Sequence, residues 1–209
     1  MFALIENQQI TKHISGNKGI TIGDVQYPKS IFTLWSEAER NAIGIYEVTV
    51  DTTNKKDEQW YINTNVSYGV ESNKAVGSYG TATAKAHADS TYTNQDKTDG
   101  LIPDGKDVGD IKDRGLKYNL IQTVKKQAAG ILQETDWYIT RKADAGTAVP
   151  SSITAHRAAV RTKAAEQETA ITNAADTPAL ETLYTYVNTG TEENPVIERP
   201  LGELPTLDN

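Results

Sequence analysis

In residues 1–80 short stretches rich in apolar and β-branched residues, bounded by Asn or Gly, indicate a series of β-strands, and one stretch follows the period of two that is typical of a strand. The alternation is clearest over residues 60–68. Ser36 and Glu39 form the capping-box pattern of a helix N-terminus, and Gly44 is suited to the end of that helix. The pattern therefore predicts an antiparallel β region that contains one short helix.

Residues 81–115 follow neither the strand period nor the helix period. Large hydrophobic residues are rare in this stretch, whereas Asp and Lys are frequent. Such a segment cannot bury enough apolar surface to fold by itself. We expect an irregular polar connector, and three forms remain open: a linker, a surface excursion, or a segment that a partner orders.

The helical period dominates residues 116–190. The first helix is predicted from apolar residues at four-residue spacing, namely Leu116, Leu120, Val124 and Ala128. Pro150 precedes an alanine-rich second helix, and Thr177 begins a third helix that is expected to end near Gly190. Residues 191–209 contain three prolines and are expected to form an extended tail. The predicted fold class is α+β, with a β-rich domain, a connector, a helical domain and this tail.

The composition indicates a small hydrophobic core, because Leu, Ile, Val and Phe supply only 42 of the 209 residues. The chain has no cysteine, so disulfides and thiolate metal sites are excluded. A net charge of −7 argues against binding to nucleic acid, because that binding depends on Lys and Arg. No stretch has the apolar length of a membrane span, and the N-terminus does not resemble a secretion signal, so neither membrane insertion nor classical secretion is expected.

Candidate chemistry is sparse. The three histidines lack the spacing of zinc ligands, and the aspartates of residues 99–113 do not match the twelve-residue calcium loop. We therefore predict no catalytic residue, no metal and no cofactor, and interpret the chain as a protein that is not an enzyme. Trp35, Trp60 and Trp137 are interpreted as packing anchors, although aromatic residues beside Asn and Thr in residues 60–68 are also what a glycan-binding groove would use.

Residues 130–175 resemble the C-terminal region of tail-fibre and tail-fibre-assembly-type proteins of tailed bacteriophages. In those proteins a threonine-aspartate-tryptophan turn, an arginine, a proline and an arginine-x-x-x-arginine helix recur in that order. The corresponding residues are Thr135, Asp136, Trp137, Arg141, Pro150, Arg157 and Arg161. The closing proline-tryptophan-proline pattern of that family is replaced here by residues 199–205, which contain no tryptophan.

Residues 25–46 resemble the beginning of small tail proteins of marine phages. Together the two resemblances imply a non-enzymatic structural component of a phage tail: a fibre, baseplate or adaptor piece. Such a protein would be made in the cytoplasm of the host bacterium and would reside in the virion. Its partners would be other tail proteins, in an oligomeric assembly.

The resemblance also implies roles for individual residues. Trp137 would be a buried hinge between two helices, Asp136 a cap or turn former, and Arg141, Arg157 and Arg161 ion-pair or interface residues.

Two other functions remain open. One is an assembly chaperone that helps the tail fibre to fold and then leaves, and the other is a module in the β region that binds host glycans.

Overall fold

The computed structural model describes residues 1–207 and confirms the predicted α+β fold class. The chain forms two compact units, a first unit over Met1–Thr83 and a second unit that begins at Ala84. Strands dominate the first unit, and helices dominate the second.

The first unit is built on one sheet of five strands. Its elements are β1 (Phe2–Glu6), β2 (Gln9–Ile14), β3 (Ile20–Ile22), β4 (Val25–Tyr27), α1 (Ile31–Leu34), α2 (Glu37–Ala42), β5 (Ile45–Asp51), β6 (Tyr61–Ile62), β7 (Val66–Glu71) and β8 (Lys74–Tyr79), and β9 (Thr83–Ala84) lies at the unit boundary. The sheet order is β2-β1-β5-β8-β7. All its pairs are antiparallel except β5–β8, so the prediction of an antiparallel region misses one parallel pair.

One end of this sheet packs against the two helices and the β3–β4 hairpin. The core there consists of Leu4, Ile14, Ile20, Ile31, Phe32 and Ile45. The predicted capping box is present, because the Ser36 hydroxyl accepts from the Glu39 amide at 3.3 Å and the Glu39 carboxylate accepts from the Ser36 amide at 2.8 Å. Gly44 follows the helix with a φ of 81°, a conformation that costs glycine little. The short helix is therefore confirmed, with its predicted start and end.

Gly77 of β8 gives a direct test of packing in this sheet. A Cβ atom at this position would lie 2.8 Å from both the Tyr68 ring and the Val66 side chain. We expect Gly77→Ala to lower the free energy of unfolding of the first unit by about 2 kcal/mol, because both neighbours must move. Gly69 in β7 is the matched control, since no atom lies within 4 Å of a Cβ placed there. Chemical denaturation measures both variants, and equal stabilities would contradict this packing.

The second unit has two long helices in antiparallel contact. Its elements are β10 (Ser90–Thr91), α3 (Asn94–Thr98), β11 (Ile111–Asp113), α4 (Leu116–Gln133), α5 (Asp136–Ala145), α6 (Ser151–Asn173), α7 (Thr177–Tyr184), β12 (Val187–Asn188) and β13 (Ile197–Glu198). Val124 and Ala128 of the predicted α4 stripe are buried, and Lys125 pairs with Glu168 of α6 at 3.5 Å. Leu180 of α7 is also buried. The prediction that Val124, Ala128 and Leu180 face inward is therefore confirmed.

The helix predicted to begin at Thr177 ends earlier than expected. α7 stops at Tyr184, not near Gly190, and Val187 lies exposed in the β12–β13 hairpin. Thr185 is already extended, with ψ of 122°, and Gly190 serves the hairpin loop, where a Cβ would lie 2.3 Å from the Asn194 carbonyl oxygen. The predicted extended tail therefore contains the short strand β13. Residues 208 and 209 of that predicted tail lie outside the described residues.

Residues 81–115 contain regular elements in spite of their polar composition. β10 pairs with β11, and α3 begins with a capping box between Thr93 and Asp96. The Asp96 carboxylate also accepts from the Lys112 ammonium at 2.6 Å. This contact, together with the hydrogen bonds from Thr93, holds the pKa of Asp96 far below its usual value. Polar contacts thus supply the order that apolar burial cannot supply here.

Candidate functional site

Helix α5 is the least buried of the longer helices in the second unit. It begins after Thr135, which is 1% exposed, and ends at Gly146, whose φ of 67° is the left-handed conformation typical of a helix end. Over its described length from residue 136 to 145, α5 has no buried side chain. An isolated helix of ten residues is marginal in water, so α5 depends on contacts at its N-terminus.

Arg157 of α6 makes those contacts. Its Nη1 donates to the Leu132 carbonyl oxygen at 2.7 Å and to the Thr135 hydroxyl at 2.7 Å, and its Nη2 lies 2.8 Å from Asp136 Oδ1. The arginine is 8% exposed, which strengthens these bonds because little water competes for them. We call these four residues, Leu132, Thr135, Asp136 and Arg157, the arginine anchor. The anchor fixes the direction in which α5 leaves the end of α4.

Beyond the anchor, α5 presents three stacked side chains that we call the tryptophan cluster: Trp137, Tyr138 and Arg141. The two aromatic rings lie 3.8 Å apart. The Arg141 guanidinium lies 4.6 Å from the Trp137 ring centre and 5.4 Å from that of Tyr138. Trp137 is nevertheless 51% exposed. The cluster is therefore organised by cation–π and ring contacts and also open to solvent.

These positions contradict one prediction about the site residues. For the other predicted residues they give the position and the contacts. The prediction that Trp137 is buried between two helices is wrong, because α5 turns away after the anchor and half of the indole faces solvent. Asp136 is the first residue of α5, and Thr135 occupies the cap position. Arg161 is exposed and makes no hydrogen bond or ion pair with another residue between 1 and 207.

The other two tryptophans belong to the first unit. Trp60 is 3% exposed, so its ring is not available as a platform for a sugar, whereas Tyr68 of the same stretch is 40% exposed. Trp35 is half-buried and packs edge-on against Tyr27, with ring centres 5.9 Å apart. Its carbonyl oxygen accepts from Arg40. Both residues fit the predicted role of packing anchor.

The sequence identified Thr135 only as part of the threonine-aspartate-tryptophan motif, and it missed Tyr138 as a member of this site. The role of Thr135 depends on Arg157, which lies on another helix, so no local pattern could reveal that role. Tyr138 carried a usable signal, because it follows Trp137 directly and precedes Arg141 by three residues, a spacing that brings side chains together on a helix.

A cavity of about 550 Å³ beside the β12–β13 hairpin is the other candidate site. Arg199 lies between the rings of Tyr184 and Tyr186, at 5.4 and 5.5 Å, and pairs with Glu203 at 2.7 Å. Glu203 also accepts from the Tyr186 hydroxyl at 2.5 Å, and this hydrogen bond raises the pKa of Tyr186. Because Arg199 and Tyr186 both bond to Glu203, the cluster is better explained as the attachment of residues 199–203 than as a ligand site.

Within residues 1–207, no group of three or more His, Asp and Glu side chains is placed to hold a metal ion. None of the described helices combines the length and apolar character that a membrane span needs. Comparisons of the chain with protein-family models, with curated proteins and with solved structures find no match.

Proposed function

We propose that the protein is a non-enzymatic structural component of a phage tail, and that it works through protein–protein contact at the tryptophan cluster. The observation that carries this proposal is the half exposure of Trp137, on a helix that Arg157 holds firmly in place. A neighbouring tail protein would cover the cluster.

The energetics of the cluster support a covered surface. Exposing half an indole to water forgoes the burial that makes tryptophan stabilising in a core. Trp, Tyr and Arg are also the residues that contribute most often to binding energy at the centre of interfaces. The stacking of Arg141 on both rings limits side-chain motion before a partner arrives, which lowers the entropy cost of association.

The charge of Arg141 adds to this support. Among the described residues it has no carboxylate partner, whereas Arg114, Arg157 and Arg199 each pair with an aspartate or glutamate. A partner that presents a carboxylate beside an apolar side chain would satisfy both the guanidinium and the indole.

The resemblance to phage tail proteins supports a place in the virion. Of the seven residues that carry the resemblance over residues 130–175, five belong to the anchor or the cluster: Thr135, Asp136, Trp137, Arg141 and Arg157. In this proposal the protein is made in the bacterial cytoplasm and then joins other tail proteins in an oligomeric assembly.

Quantitative mass spectrometry of purified particles tests the proposal. We expect the protein at a fixed copy number relative to the other tail proteins, after washing at high salt. An assembly chaperone would instead raise the yield of soluble fibre in the infected cell and be missing from the particles. Absence from the particles would therefore contradict the structural role and favour the chaperone.

A further inference from the structure

The five-stranded sheet of the first unit curls until its two edges face each other. β2 and β7 are these edges, and the strand directions make them antiparallel neighbours. Gln8 Nε2 donates to Asn73 Oδ1 at 2.9 Å, and the rings of His13 and Tyr68 lie 4.7 Å apart. We call this junction the seam. Among residues 1–207, no backbone hydrogen bond joins β2 to β7, so side chains alone close the seam.

The concave face inside the curl is apolar and incompletely covered. The strand registers place Tyr46, Val48, Val66 and Val70 on this face, and all four are half-buried. Tyr68 on the same face is 40% exposed. The curl therefore leaves backbone groups unpaired at its two edges. It also leaves apolar side chains on its concave face partly exposed to water.

Closing the seam inside one chain is geometrically demanding. A sheet of only five strands must curve strongly to become a closed barrel. The two hairpins that meet at the seam also have stiff two-residue turns, since Asn7, Gln8, Ser72 and Asn73 all have φ between 49° and 63°. Each hairpin keeps its own internal pairing, and the seam between the hairpins remains without ladder bonds.

Two copies of the chain can pair the same strand edges without that curvature. We infer that the first unit pairs with a second copy of itself, with β2 of each copy joined to β7 of the other by an antiparallel ladder. Each copy supplies both edges, so two contacts related by a two-fold axis close the assembly. Unpaired strand edges are templates for uncontrolled pairing with other chains. In this dimer the β2 and β7 edges of both copies are paired.

Charge and orientation favour this occupant over an unrelated strand. The registers place Lys12 of β2 on the same face as Glu71 of β7, so the facing edges carry opposite charges. The side-chain pairs Gln8–Asn73 and His13–Tyr68, which meet across the seam in one chain, are available unchanged between two chains. A second copy is therefore complementary to both edges at once.

Disulfide trapping tests the inference cleanly, because the chain contains no cysteine. Chains carrying Gln8→Cys and chains carrying Asn73→Cys are mixed, unfolded, refolded together and oxidised. We expect a mixed disulfide dimer in about tenfold excess over dimers linked at identical positions. The double variant Gln8→Cys/Asn73→Cys in a single chain is the control, and it should also give linked dimers after refolding.

Two results would overturn the inference. One is a double variant that forms its disulfide only within a monomer, while the mixed single variants give no mixed dimer. The other is sedimentation of the unmodified chain as a monomer at about 100 µM, which would decide the matter even if neither cysteine pair becomes linked.

Discussion

Replacing Arg157 by alanine is expected to lower the free energy of unfolding of the second unit by about 3 kcal/mol. The substitution removes the bonds to the Leu132 carbonyl oxygen, the Thr135 hydroxyl and the Asp136 carboxylate. Because Thr135 is 1% exposed, water cannot easily replace the lost donor. Asp136 is largely exposed, so the carboxylate contributes the smaller share. Chemical denaturation followed by helical circular dichroism measures the change.

Arg161→Ala is the matched control for this prediction. It removes the same side chain one turn further along the same helix, at an exposed position. We expect its effect to stay within about 0.5 kcal/mol. Arg157→Lys should recover only part of the stability, because an ammonium cannot reproduce the planar fork of the guanidinium. Equal effects of Arg157→Ala and Arg161→Ala would show that the anchor does not hold α5.

Replacing Trp137 by alanine is expected to have a large effect on assembly and a small effect on folding. An exposed side chain contributes little to the unit itself, so the free energy of unfolding should change by less than about 1 kcal/mol. A tryptophan at the centre of an interface commonly contributes about 2 kcal/mol or more to binding, which corresponds to roughly a thirtyfold loss of affinity. Wild-type and variant chains expressed together during infection should therefore enter particles in a ratio that strongly favours the wild type.

Tyr118→Ala supplies the control for that experiment. Tyr118 is also an exposed aromatic residue of the second unit, and it stacks on Arg114 at 4.1 Å as Trp137 stacks on Arg141. It lies outside the tryptophan cluster, so we expect its variant to enter particles as well as the wild type. Equal incorporation of the Trp137 and Tyr118 variants would contradict a docking role for the cluster.

Some local signals in the sequence predicted local structure correctly, whereas the alternation over residues 60–68 did not give one continuous strand, because β6 ends at Ile62 and β7 begins at Val66. The capping box at Ser36 and the four-residue stripe through Val124 and Ala128 appear as predicted, because each depends on residues within a few positions of one another. The α+β fold class followed from the change of hydrophobic period near residue 116.

Features that depend on distant residues could not be predicted in this way. The parallel pairing of β5 with β8 is set by the crossover between them, and no property of either strand reveals it. The exposure of Trp137 follows from the direction of α5, which Arg157 imposes from another helix. Tryptophan is usually a core residue, so the sequence favoured burial at this position. Gly190 was interpreted as a helix end, but the hairpin loop needs a glycine there for close packing of the backbone, since a Cβ would lie 2.3 Å from the Asn194 carbonyl oxygen.

A reconstruction of the intact particle by electron cryomicroscopy tests the central claim most directly. The account predicts density for this chain in the tail, with Trp137 and Arg141 covered by a neighbouring protein that places a carboxylate near the guanidinium. A particle that lacks the chain, or one in which the tryptophan cluster faces open solvent, would contradict it.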